Sequence, residues 1–352
     1  MKNLIHCPAF GAIILAIVTA TGARAQQVTH IPTTDRALAG TPVTQFSIGS
    51  EDGEDWELLS RVSDVAFDAN DNLVVLDAGN NRVLVFDPNG KFLRKIGKKG
   101  GGPGELLSPV GLAITKEGFI AVTDLGRPGV SLFKANGTFV RNLMLGDTLG
   151  FPAPLNGTVA HPSGGVAVRA NPIRVNNVRM GAGSAAPPTP AGLTAPRTSP
   201  ILWLTSTGQT RTLYSVPLPA ITPKVSDTGG RNRQVTFRVS QPGFAPPLLW
   251  SVLPNGSVAF ADEAGYKVKV VSNGKVQRII QRDYPVRKVT EHDKTKAREQ
   301  RRKNMKSGVG MVRMTADVGG SGGGRTSVSS GGNGPGLPDA EIAEMLREMT
   351  FL

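Results

Sequence analysis

The segment VAFDANDNLVVLDAGNNRVLVFDPNGKFLR (residues 65–94) decides how this chain folds, because it recurs 47 residues later as LAITKEGFIAVTDLGRPGVSLFKANGTFVR (residues 112–141). The two copies align without a gap, and ten of their thirty positions are identical. In each copy short apolar runs alternate with turn residues, and Asn89-Gly90 and Asn136-Gly137 mark the same two-residue hairpin turn. The pattern predicts a repeated unit of antiparallel strands.

A repeat of this length, filled with short strands and turns, is typical of a β-propeller blade. A further copy at residues 249–280 carries Gly256 and Asp262 at 138 residues beyond Gly118 and Asp124, which is three repeats of 46. One more unit must therefore lie between the second copy and this one. We expect residues 234–240, which alternate in polarity, to form its outer strand. The predicted fold class is all-β, a β-propeller with about four blades in residues 43–285.

Residues 171–200 interrupt the third unit. This insertion is rich in Pro, Ala, Gly and Thr and has no acidic residue, while Arg174 and Arg179 lie within it. Such a composition is typical of an extended segment without a packed core. We interpret it as a disordered loop that projects from the third blade, and we expect Arg174 and Arg179 to be available to a partner.

The connection between blades is duplicated as well. Ile48-Gly49 and the sequence ELLS at residues 57–60 recur 48 residues later as Ile96-Gly97 and ELLS at residues 105–108. Residues 46–48 should therefore end a blade whose other strands do not precede them. We expect them to close the ring by joining the last blade, because closure removes an exposed sheet edge.

The motif LDAGNNRV at residues 76–83, with Phe86-Asp87 and Asn89-Gly90 after it, resembles the NHL-type six-bladed β-propellers, and in particular exported bacterial members. Ile96-Gly97 leading to GGPGEL at residues 101–106 is similar to the same family. The resemblance implies a six-bladed ring and a general binding role. Because only four blades can be counted, we expect the chain to be truncated at its C-terminus. A ring closed by another chain, or a smaller open assembly, is the alternative.

The sequence after the repeats changes character. Between residues 281 and 325 there are twelve Lys or Arg and five Asp or Glu, within a chain of net charge +13. We predict a basic helical segment at 286–318, a Gly/Ser linker at 319–336 and an amphipathic helix at 337–352. Arg301, Arg302 and Lys303 are candidate contacts to a partner or to an anionic envelope surface. A solvated charged helix is the alternative, and no nucleic acid partner is expected of an exported protein.

Residues 1–25 have the features of a secretory signal peptide. Lys2 is followed by the apolar run AFGAIILAIVTA at 9–20, and Ala23-Arg24-Ala25 is a cleavage site of the small-x-small type. We expect cleavage after Ala25 and export to the periplasm or the medium. An uncleaved anchor is the alternative, although the apolar run is shorter than the ~20 residues of a spanning helix. No second run of spanning length follows, so no transmembrane segment is predicted.

The sequence offers no catalytic, cofactor-binding or metal-binding residues that we would assign. The loop at 97–104 is rich in glycine but is not followed by Lys-Ser or Lys-Thr, so it is a crossover between blades rather than a phosphate loop. Histidines at 30, 161 and 292 are far apart in sequence, and the single cysteine, Cys7, lies in the signal peptide. Glu51, Glu54, Asp55 and Glu57 could serve a metal, but they lie in one loop, where we favour solvated charge as the explanation.

Asp77, Asp124 and Asp262 recur at the end of an inner strand. They could line an axial opening, or they could accept hydrogen bonds from the following turn, which we favour. The function predicted from these features is a non-catalytic exported scaffold that binds a protein, peptide or glycan through blade-edge loops. The alternative is a metal-dependent propeller enzyme of the lactonase or lyase type, so catalysis stays open.

Overall fold

A computed structural model describes residues 26–35, 40–126, 129–145, 157–170, 197–218, 224–227, 233–238, 244, 246–284, 287–306, 312–318, 326–330 and 339–347. The predicted signal peptide with its cleavage site at Ala25 lies outside these residues. Arg174 and Arg179, together with most of the insertion, also lie outside them.

The first two blades follow the sequence repeat. They come after a short strand, β1 (Gln27–His30). The first blade consists of β2 (Val62–Phe67), β3 (Leu73–Asp77), β4 (Arg82–Phe86) and β5 (Phe92–Ile96). The second consists of β6 (Pro109–Ile114), β7 (Ile120–Asp124), β8 (Gly129–Phe133) and β9 (Phe139–Met144). In both blades each strand pairs antiparallel with the next, as the hairpin turns predict.

The third blade has a different outer strand from the expected one. It consists of β10 (Val159–Ala160), β11 (Val166–Arg169), β12 (Arg197–Leu204) and β13 (Thr210–Leu218). Residues 197–200, assigned to the insertion from sequence, belong to β12. The expected outer strand at 234–240 was wrong: β14 (Lys224–Asp227) and β15 (Arg233–Arg238) pair with each other, outside this blade. Alternating polarity identifies a strand but does not identify its neighbours.

The fourth blade consists of β16 (Leu249–Val252), β17 (Val258–Ala261), β18 (Tyr266–Ser272) and β19 (Lys275–Arg282). β1 adds to it as a fifth strand, parallel to β19. The expectation that residues 46–48 make this closing contact was wrong. Those residues form no strand, and Ile48 packs instead on the first blade, as Ile96 packs between the first and second blades.

The C-terminal part contains two helices and two strands among its described residues. α1 (Glu291–Lys306) is followed by β20 (Val312–Val318), β21 (Thr326–Ser330) and α2 (Asp339–Arg347). β20 pairs with β15 and β21, so strands occupy parts of the sequence that we had assigned to the basic helical segment and the linker. None of the helices in the described residues is long and apolar enough to cross a membrane.

The blades stack face to face through apolar side chains that alternate along each strand. β3 and β4 are buried on both faces, because one face packs on the second blade and the loop before β2 covers the other. Val74 and Leu76 pack against Leu112 and Val122 of the second blade. Similar apolar clusters join the second blade to the third and the third to the fourth. The repeat therefore builds a consecutive stack of four blades.

Candidate functional site

The blades have two ends, which we name by their connections. At the hairpin end β4 turns into β5 through Asn89-Gly90, where Gly90 has a positive φ of 84° and Asp87 accepts the amide hydrogens of Asn89 and Lys91. At the crossover end β3 turns into β4, and the chain leaves β5 for the next blade. The crossover end carries the longer loops and the candidate site.

Asp77 organises the crossover end of the first blade. Its carboxylate is fully buried. Oδ1 accepts the amide hydrogens of Ser60 and Arg61, and both N–O distances are 3.2 Å. Oδ2 accepts hydrogen bonds from Asn80 Nδ2 at 2.8 Å and Arg82 Nε at 3.0 Å. Burial raises the pKa of Asp77, but these hydrogen bonds outweigh burial and hold the pKa below its usual value. The side chain is therefore an ionised anchor between the turn and the preceding loop.

Asp124 performs the same task one repeat later. It accepts amide hydrogens from Leu107 at 2.7 Å, Ser108 at 2.8 Å and Gly126 at 2.7 Å. Asp262 instead pairs with Lys269 at 2.8 Å. For Asp77 and Asp124 the favoured interpretation, an acceptor of backbone hydrogen bonds, agrees with these contacts. Four of the five backbone donors, however, lie 16 or 17 residues before the Asp, and only Gly126 belongs to the turn that follows it.

Arg82 ties three parts of the loop together. Its guanidinium donates to Asp77 Oδ2, to Asp55 Oδ2 at 2.9 Å and to the carbonyl oxygen of Leu58 at 2.9 Å. The side chain is 5% exposed. Each of its nitrogens has an acceptor, so Arg82 acts as a rigid floor and not as a direct ligand contact.

A cleft of about 310 Å³ opens above this floor. Its lining residues come from the loop before β2, the β3–β4 turn, β5 and the crossover: Asp55, Leu58, Asn80, Arg82, Lys95, Gly97, Lys98 and Lys99. Four of these side chains are cationic and one is anionic. The lining residues have a surplus of three positive charges, of which the neighbouring carboxylates of Asp77 and Glu105 neutralise two. The positive charge that is left favours an anionic ligand.

The lysines at the rim are exposed and sit on an ordered frame. Lys95 Nζ lies 3.0 Å from Asp55 Oδ2, and Lys98 Nζ lies 3.3 Å from Glu105 Oε1. The hydrogen bond from Lys95 and the charge of Arg82 hold the pKa of the Asp55 carboxyl below its usual value. Asp55 thus stays ionised and fixes Lys95 at the rim. Exposed pairs of this kind are weak, about 0–1 kcal/mol each, so a ligand anion can compete for the lysines.

The basic residues singled out from the sequence fall in different places. Arg302 and Lys303 are exposed on α1, and Arg301 is half-buried there. The helix packs on α2, where Met305 and Ile342 are buried and Lys306 Nζ lies 2.8 Å from Asp339 Oδ1. Arg174 and Arg179 lie outside the described residues, so they cannot be placed beside α1 or the cleft.

Sequence reasoning missed the cleft itself. Lys98 and Lys99 were visible in the glycine-rich crossover, but we assigned that loop to chain geometry alone. Asp55 was visible as one acid among four. Arg82 binds Asp55 across 27 residues of sequence and places it beside the crossover lysines. The sequence does not reveal this contact. The repeated ELLS motif fixes both loops against a blade. It was the one feature of the sequence that could have indicated that these loops lie close together.

Metal ligation gains no support from the residues that the structure describes. They contain no group of three or more His, Cys, Asp or Glu side chains that could hold an ion. His161 is buried between the third and fourth blades, where its ring stacks on Trp203 at 4.0 Å. His30 lies on β1 near Gln281, and His292 lies in α1.

Residues 53–148, which contain the cleft and the first two blades, match the sequence model of a family described as 6-bladed beta-propeller. This part of the chain is therefore similar to a six-bladed β-propeller family. The propeller family thus accounts for the blades that the repeat defined, and the resemblance inferred from the sequence is confirmed at this level. No curated protein matches the chain in sequence.

Two solved structures are similar to this chain at low sequence identity. A Bacteroides fragilis protein described as exported covers 85% of this chain and 77% of its own length, with 13% identity and a TM-score of 0.42. Virginiamycin B lyase from Staphylococcus aureus covers 68% of this chain and 77% of its own, with 13% identity and a TM-score of 0.34. Sequence identities and TM-scores this low carry no information about function.

Proposed function

We propose that this protein is a non-catalytic binding propeller that recognises an anionic partner at the crossover end of its first blade. The observation that carries the proposal is the cleft built on Arg82 and rimmed by Lys95, Lys98 and Lys99. The partner is a protein, peptide or glycan that presents carboxylate or sulfate groups.

The floor and the rim of the cleft have different tasks. Asp77, Arg82 and the Leu58 carbonyl are paired with one another and give the loops a fixed geometry. Lys98 and Lys99 are exposed on the crossover and can reach a ligand without breaking that frame. A rigid scaffold that displays exposed loop residues is suited to recognition. Rim lysines add mainly to association rate and to salt dependence, so we expect binding that weakens as ionic strength rises.

The test is a charge reversal at the rim, Lys98→Glu with Lys99→Glu, measured with heparin and with a fluorescent polyglutamate peptide as separate probes. The matched control reverses Lys116 and Lys134, two exposed lysines near hairpin turns at the opposite end of the second blade. We expect the rim variant to weaken binding about tenfold or more at low salt, which corresponds to about 1.4 kcal/mol. The control should bind as the parent does. Equal loss in both variants would mean that binding depends on overall charge and would refute a site at the crossover.

The basic helix is proposed as a second contact. Arg302 and Lys303 are exposed on α1, and they give the C-terminal part a basic surface of its own. Replacing both by glutamate tests this contact with the same two probes. If the loss adds to that of the rim variant, the helix takes part in binding. If the double replacement leaves binding unchanged, the contact is absent.

We further propose that the protein is exported, on the strength of the N-terminal sequence. Expression of the full chain followed by N-terminal sequencing of the product should give a mature protein that begins at Gln26. A product that keeps residues 1–25 would contradict cleavage after Ala25.

A further inference from the structure

The first blade has an outer face, by which we mean the face that points away from the second blade. Side chains alternate along a strand, so Ala66, Val74 and Leu76 pack toward the second blade while Val65 and Phe67 point the other way. Val65 lies opposite Val75 in the sheet, and Phe67 lies opposite Leu73. The outer face therefore carries an apolar row of its own.

The sequence repeat identifies what this outer face is built to do. Val65 and Phe67 correspond to Leu112 and Ile114, which lie 47 residues later in the second blade. Leu112 is 3% exposed because the first blade covers it, whereas Val65 is 52% exposed and Phe67 is 64% exposed. In the second blade Leu112 is therefore buried and Ile114 is half-buried, whereas their counterparts in the first blade are bare. Within the part of the chain that the structure describes, the outer face is therefore an interblade surface that no other blade covers.

Only the inner-strand part of the outer face is bare. Ile48, Trp56 and Leu59 pack over Val75, Leu84 and Phe86, so the loop before β2 covers the middle of the blade. Trp56 stacks on Phe92 with 5.0 Å between ring centroids. The exposed row at Val65 and Phe67 therefore borders a well-packed cluster, which makes it a defined surface rather than a frayed edge.

The fourth blade also exposes an apolar residue on the face that points away from the third blade. Trp250 and Phe260 pack toward the third blade, and the opposite face of the same sheet carries Leu249, which is 54% exposed. Leu249 corresponds to Gly111, 138 residues earlier, and through the repeat to Asp64. Both of those positions contact the following blade: Asp64 Oδ2 accepts the amide hydrogen of Leu112 at 2.8 Å, and Gly111 lies against Thr158. Leu249 occupies the equivalent contact position in the fourth blade, where the described residues leave it half-exposed.

We propose that the outer face of the first blade binds the exposed face of the fourth blade in a second copy of this chain, head to tail. Both halves of an interblade interface occur in one chain, at opposite ends of the four-blade stack, and both carry bare apolar residues. In a contact between two copies, each of these two faces would meet the kind of blade surface that its equivalent contacts within the stack. Such a contact is heterologous, so it produces a closed ring or an open chain of copies. The proposal uses a different surface from the cleft and does not depend on the proposed function.

The first test is the solution mass of the full chain, measured by light scattering during size-exclusion chromatography over a hundredfold range of concentration. We expect assemblies of two or more copies that dissociate on dilution. Phe67→Asp and Leu249→Asp should each raise the midpoint concentration of assembly at least tenfold. Met144→Asp is the control, because Met144 is also 54% exposed but lies on the outer strand of the second blade. A monomer at every concentration, or equal effects of all three replacements, would overturn the proposal.

The second test maps the contact directly. In a chain carrying Cys7→Ser, one preparation carries Val65→Cys and another carries Leu249→Cys, and the two are mixed with a short bismaleimide. Position 64 contacts position 112 in the stack. Position 249 is equivalent to 64, and position 65 is equivalent to 112, so a cross-link should join residues 249 and 65 of two copies. A mixture of Val65→Cys with Met144→Cys is the control. Cross-linking in the control to the same extent, or none in either mixture, would contradict the head-to-tail contact.

Discussion

Arg82 Nε donates a hydrogen bond to Asp77 Oδ2 at a distance of 3.0 Å, and both side chains are buried at the crossover end of the first blade. The pair joins the β3–β4 turn to the loop that carries Asp55. Its geometry determines where the rim of the cleft lies, although neither residue is needed as a ligand contact.

The two carboxylates that bind Arg82 should contribute very differently to stability. Asp77→Asn leaves the buried guanidinium without its buried counter-charge, so we expect a loss of about 3–5 kcal/mol in the free energy of unfolding. Asp55→Asn removes an exposed partner, whose pairing is screened by solvent, and should cost far less. Urea denaturation of both variants gives the comparison. Equal losses would show that the Arg82–Asp77 pair is not the anchor of the loop.

The repeat places Asp124 and Asp262 at equivalent positions, but their contacts differ. Asp124→Asn puts an amide group against three backbone N–H donors, at least one of which loses its acceptor, and should cost about 1–3 kcal/mol. Asp262→Asn breaks a pair with Lys269 that is partly exposed, and we expect about 1 kcal/mol or less. Thermal and urea unfolding measure both. A larger loss for Asp262→Asn would reverse the assignment of roles.

Gly165 is required by its backbone and by its surroundings. Its φ is 69°, and an added Cβ would lie 2.2 Å from the carbonyl oxygen of Leu204 on the neighbouring strand. Gly165→Ala should therefore cost about 1–3 kcal/mol from steric overlap, in addition to about 1 kcal/mol for the positive φ. Gly208 has a φ of 97° with open space around it, so Gly208→Ala isolates the conformational part. If the two variants lose the same free energy, close packing at Gly165 is not the cause.

The imidazole of His161 should make stability depend on pH. Burial lowers its pKa below the value of 6.5 for the unfolded chain, and Nδ1 accepts the amide hydrogen of Ser163, which also requires the neutral ring. The unfolded state therefore binds the proton more tightly, and stability falls as pH drops below about 6.5. His161→Phe keeps the ring stacked on Trp203 without a titrating group.

The measurement is the melting temperature at pH 7.5 and pH 5.5 for the parent chain and for His161→Phe. We expect a smaller drop in the variant, since the parent alone must protonate this ring on unfolding. Asp64 acts in the opposite direction, because burial raises its pKa, but it is present in both proteins. Identical drops in the two proteins would refute the role of His161.

The sequence alone determined the repeat, the strand pairs and the turn chemistry. Strands β3 and β7 each end in an Asp, because its carboxylate accepts hydrogen bonds from the loop that precedes the blade. This contact spans only 16 residues, so it recurs in the second copy of the repeat at a fixed spacing. Two assignments failed for the same reason. Residues 46–48 and 234–240 have strand-like patterns, but which sheet accepts a strand depends on contacts distant in sequence.

Only the tertiary structure decided which residues form the cleft and which apolar residues stay bare. Asp55, Arg82 and Lys98 are separated in the chain and are brought together by the crossover folding back over the first blade. Val65 and Leu112 are equivalent in sequence, yet one is half-exposed and the other is buried. A repeat specifies the face that each residue presents, because side-chain direction follows local backbone geometry. Whether a neighbouring blade covers that face depends on the packing of the whole stack.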